Sequence, residues 1–179
     1  MFVETRKNIG IAITRLFFRK KDERPVVFSN IFSRAQTAMV ILPENPDYRN
    51  FIMPVLSMLQ NKFQGTRLTL VANEQCRNLT TSFVRSTVVT IRNDQLNFFF
   101  LPKKSEINRL LSQKFDLLLD LNIAHYPTAA YLCRSVNAPL KVGFMKENAD
   151  SYYNFQYNSG ANRNIRSRYE QLFKTLSMF

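Results

Sequence analysis

Glycine is scarce in this chain of 179 residues, with four positions, Gly10, Gly65, Gly143 and Gly160. No GxGxxG and no GxxxxGK[ST] pattern can be written with them, which excludes phosphate loops built on glycine backbones. Tryptophan is absent, and His125 is the single histidine. The two cysteines, Cys76 and Cys133, stand far apart. Such a set cannot build a zinc finger, a His-rich metal centre or a disulfide scaffold, so neither metal nor cofactor is expected. Two isolated thiols suit a reducing compartment, each acting as a small buried hydrophobe. Long apolar runs are also missing. The longest stretch without a charged residue, 121–133, is too short and too polar to cross a bilayer. The charged start has no apolar segment leading to a small-residue cleavage site, so no secretory signal is expected. The expected location is the cytoplasm, with any membrane contact peripheral, on the inner membrane.

What is abundant is positive charge. Lys and Arg number 25 against 13 acidic residues, a formal net charge of +12. Apolar residues make up 45% and charged residues 21%, a globular composition. The first 24 residues hold Arg6, Lys7, Arg15, Arg19, Lys20, Lys21 and Arg24 against Glu4, Asp22 and Glu23. Residues 2–21 read as an amphipathic helix with Ile9, Ile13, Leu16 and Phe17 on one stripe, weakened by Gly10 and ended by Pro25. It either packs on the domain or lies on an anionic surface through Arg6, Lys7, Arg15, Arg19, Lys20 and Lys21.

From Pro25 onward apolar strand-like runs alternate with helical spacings. The runs AMVIL (38–42), RLTLVA (67–72), TVVTI (87–91), FDLLLDL (115–121) and LKVGF (140–144) read as strands. Helical spacing covers 51–62 (Leu56, Leu59 and Phe63 inward), 74–83, 105–113 (Ser105 as N-cap), 128–136 and 163–176. The segment NFFFL (97–101) is a short apolar piece, and a polar loop with Tyr152, Tyr153, Phe155 and Tyr157 follows the strand 140–144. This alternation predicts an α/β fold: a three-layer Rossmann-like domain with a mostly parallel sheet, over 25–179, preceded by the basic helix of 1–24.

Ligands of open parallel sheets bind beyond the carboxyl ends of the strands. That rule selects the loops 43–49 and 122–127. Glu44, Asn45, Arg49, Asp120, Asn122, His125 and Tyr126 are the candidate ligand-binding residues, and Asp47 the candidate general base. Each has a bland alternative: a turn-forming Asp47, an Asp120 that caps backbone amides, a packed His125. The aromatic group Tyr152, Tyr153, Phe155 and Tyr157 can stack on a ligand or pack its own loop.

The strand MVIL, a loop with an acid, the helix IMPVLSMLQNKF, the strand RLTLVA, FDLLLDLN, TAAYLCRSVNAP, KVGF and the closing RSRYEQLFKTL together resemble the amino-terminal half of a family 9 glycosyltransferase, the heptosyltransferase group. Over nearly its whole length the chain is also similar to a small family of Bacteroidota proteins of unassigned function, through RKNIGIAITRLFFRKK, NDQLNFFFLPKKSEINRLLSQKFDLLLDLNI and YLCRSVNAPLKVGFMKENADSYYNF. The first resemblance implies an acceptor-binding half of a two-domain GT-B enzyme. Such enzymes carry a Gly-Asp pair in the first loop, whereas this loop reads ENPDYRN, with no Gly before Asp47. The chain ends at Phe179, where the nucleotide-sugar domain of such an enzyme would start. The expectation is therefore a domain that binds an anionic ligand or envelope component without catalysis of its own. The alternative is the acceptor subunit of a split glycosyltransferase. Expected partners are an anionic lipid or glycolipid and a donor-domain protein or second copy. Nucleic acid is the weakest candidate, since basic and aromatic residues do not interleave in any recognition motif.

Overall fold

The computed structural model describes residues 2–17, 27–81, 83, 86–160 and 164–179. In chain order it contains α1 (Phe2–Phe17), α2 (Phe28–Arg34), β1 (Thr37–Ile41), α3 (Arg49–Lys62), β2 (Arg67–Asn73), β3 (Thr87–Ile91), α4 (Lys104–Leu111), β4 (Leu117–Asp120), α5 (Pro127–Ser135), β5 (Leu140–Phe144), β6 (Phe155–Tyr157) and α6 (Ile165–Leu176). The strands form one sheet in the order β3-β2-β1-β4-β5-β6, with every pairing parallel. This is the doubly wound α/β Rossmann-like arrangement that the alternation predicts.

The period of two along each strand explains the layers. In β1 and the residue after it, Ala38, Val40 and Leu42 face one side, where α2, α3 and α6 supply Phe32, Leu56, Leu59, Tyr169 and Leu172. Met39 and Ile41 face the other side, where α4 and α5 supply Ile107, Leu110, Ala129 and Leu132. Both faces are covered, so the central strands are apolar on both sides, β1 and β4 with hardly a break. The closing helix α6 folds back onto α3 and the sheet, burying Tyr169, Leu172 and Leu176.

Several expectations are corrected. Residues 155–157 are not loop: they pair with Val142, Gly143 and Phe144 as a sixth strand. Three residues are too few to show a periodicity. Helix α2 was not legible either, being seven residues beside a proline. Residues 74–80 form a 3-10 helix, and α4 starts at Lys104, so its N-cap is Lys103, whose side chain makes no capping bond, and not Ser105. Of the expected stripe of α1, Ile13 packs against the core. Ile9 and Leu16 are exposed, while Gly10 and Thr14 are buried. Gly10 lies where a Cβ would stand 2.2 Å from the Phe99 carbonyl oxygen, so glycine permits the helix to touch this backbone. Arg6 Nε donates to the Phe98 carbonyl at 2.8 Å, and the Tyr152 hydroxyl donates to the Ile11 carbonyl at 3.3 Å. The helix thus packs on the domain. Residues 18–21 of the expected helix, with Arg19, Lys20 and Lys21, lie outside the described residues.

Candidate functional site

Strand order reverses between β1 and β4, so the loops that leave their carboxyl ends diverge. Beside that point, over the ends of β1, β2 and β3, lies a cavity of about 200 Å³. Ile41, Val71, Ala72 and Ile91 give it an apolar floor, and Lys7, Glu44, Asn93, Tyr126 and Thr128 are among the polar residues that line it. A second hollow, of about 360 Å³, sits at the opposite edge near the start of β2 and is lined by uncharged residues such as Gln60, Phe63 and Thr66. Nothing ionisable lines that hollow, so the carboxyl-edge cavity is the better candidate.

Glu44 is the distinctive group of the cavity. Its backbone is held from three sides. The amide donates to Asn122 Oδ1 at 2.8 Å, Asn73 Nδ2 donates to its carbonyl at 2.8 Å, and the buried thiol of Cys76 approaches the same carbonyl at 3.8 Å. Its side-chain Oε1 is shut off from solvent and has no hydrogen-bond partner. Burial pushes the carboxyl up to about 8; the Asp120 carboxylate adds to the rise, while Lys7 and Lys146 oppose it. At neutral pH Glu44 therefore holds its proton and can both donate and accept. Burial, with Glu44 as a second cause, also raises the Tyr126 phenol to about 12. Tyr126 is the N-cap of α5, and no side chain caps that first turn.

Asp120 and Asn122 are drawn together into a neighbouring lattice of bonds. Asp120 Oδ1 accepts from the Asn122 amide (3.0 Å) and side chain (2.7 Å), and Oδ2 accepts from the Tyr153 hydroxyl and from Lys146 Nζ at 3.4 Å. Lys146 Nζ also donates to the carbonyls of Asn122 (2.9 Å) and Ala124 (3.1 Å). Asn122 Nδ2 reaches the Leu42 carbonyl at 3.2 Å. His125 Nε2 donates to the Glu147 carbonyl at 2.6 Å, and desolvation lowers its basicity.

The remaining candidates lie apart. Asn45 caps the 3-10 turn Pro46–Tyr48 by accepting from the Asp47 amide, Asp47 is exposed on that turn, and Arg49 opens α3 exposed. Arg6 covers the Phe98 ring at 3.9 Å, and Arg15 is exposed. Tyr152 and Tyr153 are buried within the domain. The sequence reading passed over Asn73, Asn93, Thr128 and Lys146, and took Tyr153 for a stacking or packing aromatic where its hydroxyl bonds Asp120. The strand-end rule that chose 43–49 and 122–127 could have found Asn73, Asn93 and Lys146, which also follow strand ends. Among the described residues no cluster of His, Cys, Asp or Glu could hold a metal, and no helix is long and apolar enough to cross a membrane.

Solved structures share this fold at low sequence identity. A glycosyl transferase family 9 protein from Veillonella parvula superposes with a TM-score of 0.60 at 15% identity, over 80% of this chain and 42% of that one. The E. coli heptosyltransferase WaaC, solved with ADP-2-deoxy-2-fluoro heptose, gives 0.53 at 12% identity, over 80% of this chain and 49% of that one. The chain thus spans just under half the length of these proteins, and the likeness is one of fold. None of the curated proteins is similar to it in sequence. A family profile does match residues 13–179, and by that match the chain belongs to DUF6913, a family of unknown function.

Proposed function

We propose that the chain is a ligand-binding relative of the acceptor-binding half of family 9 glycosyltransferases, not catalytic alone, which takes an anionic, hydroxyl-bearing envelope component in the Glu44 cavity. The carrying observation is the Glu44 carboxyl oxygen Oε1, shut off from solvent without a hydrogen-bond partner in a cavity that Lys7 also lines; burial, which raises the carboxyl to about 8, keeps it neutral at pH 7. A neutral carboxyl does not repel an anion and offers a donor and an acceptor to sugar hydroxyls. Lys7 supplies the opposite charge, and the uncapped first turn of α5 adds its partial positive end. The shared fold supports this edge of the sheet as the binding edge.

The fold likeness to family 9 glycosyltransferases also supports a second reading, the acceptor subunit of a split glycosyltransferase. Group transfer needs donor and acceptor held in one geometry, and a partner chain would supply the donor half.

Isothermal titration with phosphorylated glycolipid fragments tests the site. Binding is expected, weakened about tenfold or more by Lys7→Ala and by Glu44→Leu, a loss of about 1.4 kcal/mol for each factor of ten. Wild-type affinity that both variants retain removes the site. Turnover of a nucleotide-sugar by the purified chain alone overturns the non-catalytic reading. Co-purification of a donor-domain protein from the native host supports the split enzyme, and its absence removes it.

A further inference from the structure

Helix α1 is apolar on two sides, and only one of them is covered. The covered side carries Gly10 against the Phe99 carbonyl and Thr14 against Tyr152, at 3.4 Å between hydroxyls. The other side carries Phe2, Ile9 and Leu16, exposed by 84%, 42% and 69%. At about 100° per residue, a spacing of seven brings these three onto one line along the helix. Phe98, whose ring Arg6 covers, is 61% exposed beside it. An apolar ridge of this length on a docked helix exceeds the scattered exposed residues of an ordinary surface.

We propose that this ridge lies in the surface of an anionic lipid bilayer, with the helix parallel to the membrane plane. Charge selects the partner. Arg6 stands four residues after Phe2 and three before Ile9, on the border of the ridge, while Arg15, exposed, lies about 100° around from Leu16 on the flank it shares with Glu4. The one acidic residue of the helix, Glu4, sits about 160° around from Phe2 and pairs with Lys7 at 3.8 Å. Beyond the helix the sequence continues with Phe18, Arg19, Lys20 and Lys21. A second copy of a chain with net charge +12 would bring like-charged borders together, whereas anionic headgroups neutralise them. Sixteen residues span about 24 Å, short of the roughly 30 Å hydrocarbon core, which fits a helix that rests in the interface.

Flotation of the full chain with phosphatidylcholine vesicles, with and without about 30% phosphatidylglycerol, tests the proposal. Binding to the anionic vesicles is expected, falling about tenfold or more in Phe2→Ser/Ile9→Ser/Leu16→Ser and several-fold in Arg15→Glu. Met178→Ser, an exposed apolar position elsewhere, should bind as wild type. The ridge side chains are exposed, so the triple variant keeps its packing; an unchanged thermal midpoint verifies that. Absence of wild-type binding, or a triple variant that floats as well as wild type, overturns the proposal. A wild-type dimer in light scattering that the triple variant dissolves, without vesicle binding, assigns the ridge to a second copy and overturns it equally.

Discussion

A carboxyl group that keeps its proton in the folded state but loses it on unfolding makes stability depend on pH. Glu44 rises from an ordinary 4.5 to about 8. Between those values the folded chain binds more protons than the unfolded one, so this group's contribution is full below about pH 4.5 and is lost as pH climbs through 8. Asp120 faces it and reinforces the rise, and Lys7 and Lys146 limit it. Glu44→Gln does not titrate. The variant should therefore gain on wild type by on the order of a few kcal/mol between pH 5 and pH 9, read as a difference in thermal midpoint of several degrees. A constant difference across that range refutes the assignment. The variant should keep ligand affinity at neutral pH, where both side chains are neutral, and should not share the wild-type loss above pH 8. Much of this site was legible in the sequence, because strand ends can be read from apolar runs. The burial of Glu44 was not, because it comes from the walls around it: Asn73 and Cys76 at the end of β2 and Tyr126 at the start of α5 converge from segments far apart in sequence. Asp47 drew attention through its loop neighbours, yet nothing packs over it.

At the scale of elements, strands and long helices announced themselves where burial is two-sided or stripes are long, as in β1, β4 and α3. Helix α1 misled because two apolar stripes compete along it. Periodicity picked the larger residues, of which Ile13 packs inward, whereas the closest approach falls on the smaller Gly10 and Thr14. Strand β6 was hidden among aromatics whose partners lie on β5. The docking of α1 carries its own prediction. In Gly10→Ala the new Cβ would meet the Phe99 backbone at 2.2 Å, and neither backbone can give way cheaply. Overpacking of this kind costs about 1–3 kcal/mol. Hydrogen exchange should accelerate across the α1 amides while β1 and β4 stay protected, since their contacts do not pass through the helix. Uniform acceleration would mean that α1 is integral to the core. Gly143 has the same logic inside the sheet, because a Cβ there would stand 2.5 Å from the Tyr153 ring.

Across the whole molecule, the two halves of the sheet meet at β1 and β4, and the network around Asp120 ties their loops together. Asn122 bonds the Leu42 carbonyl and the Glu44 amide on the β1 side. Lys146 and Tyr153 bring in the segment after β5. The Asp120 and Lys146 side chains are 0% and 8% exposed, so this is a buried ion pair, whose loss leaves a partly compensated charge. Lys146→Met keeps much of the side-chain length and removes the cation. Asp120 still accepts from Asn122 and Tyr153, so the cost should fall near or below the lower end of the roughly 3–5 kcal/mol seen when buried pairs are broken. That corresponds to a midpoint drop of about 5–10 °C in a domain of this size. Adding Asp120→Asn removes the uncompensated carboxylate and should recover part of the loss, giving a coupling energy of about 1 kcal/mol or more in the double-mutant cycle. Additive losses would show that the pair is incidental to the bonds around it. The same variant should weaken ligand binding in the neighbouring cavity, because Asn122, which Lys146 steadies through its carbonyl, holds the amide of Glu44.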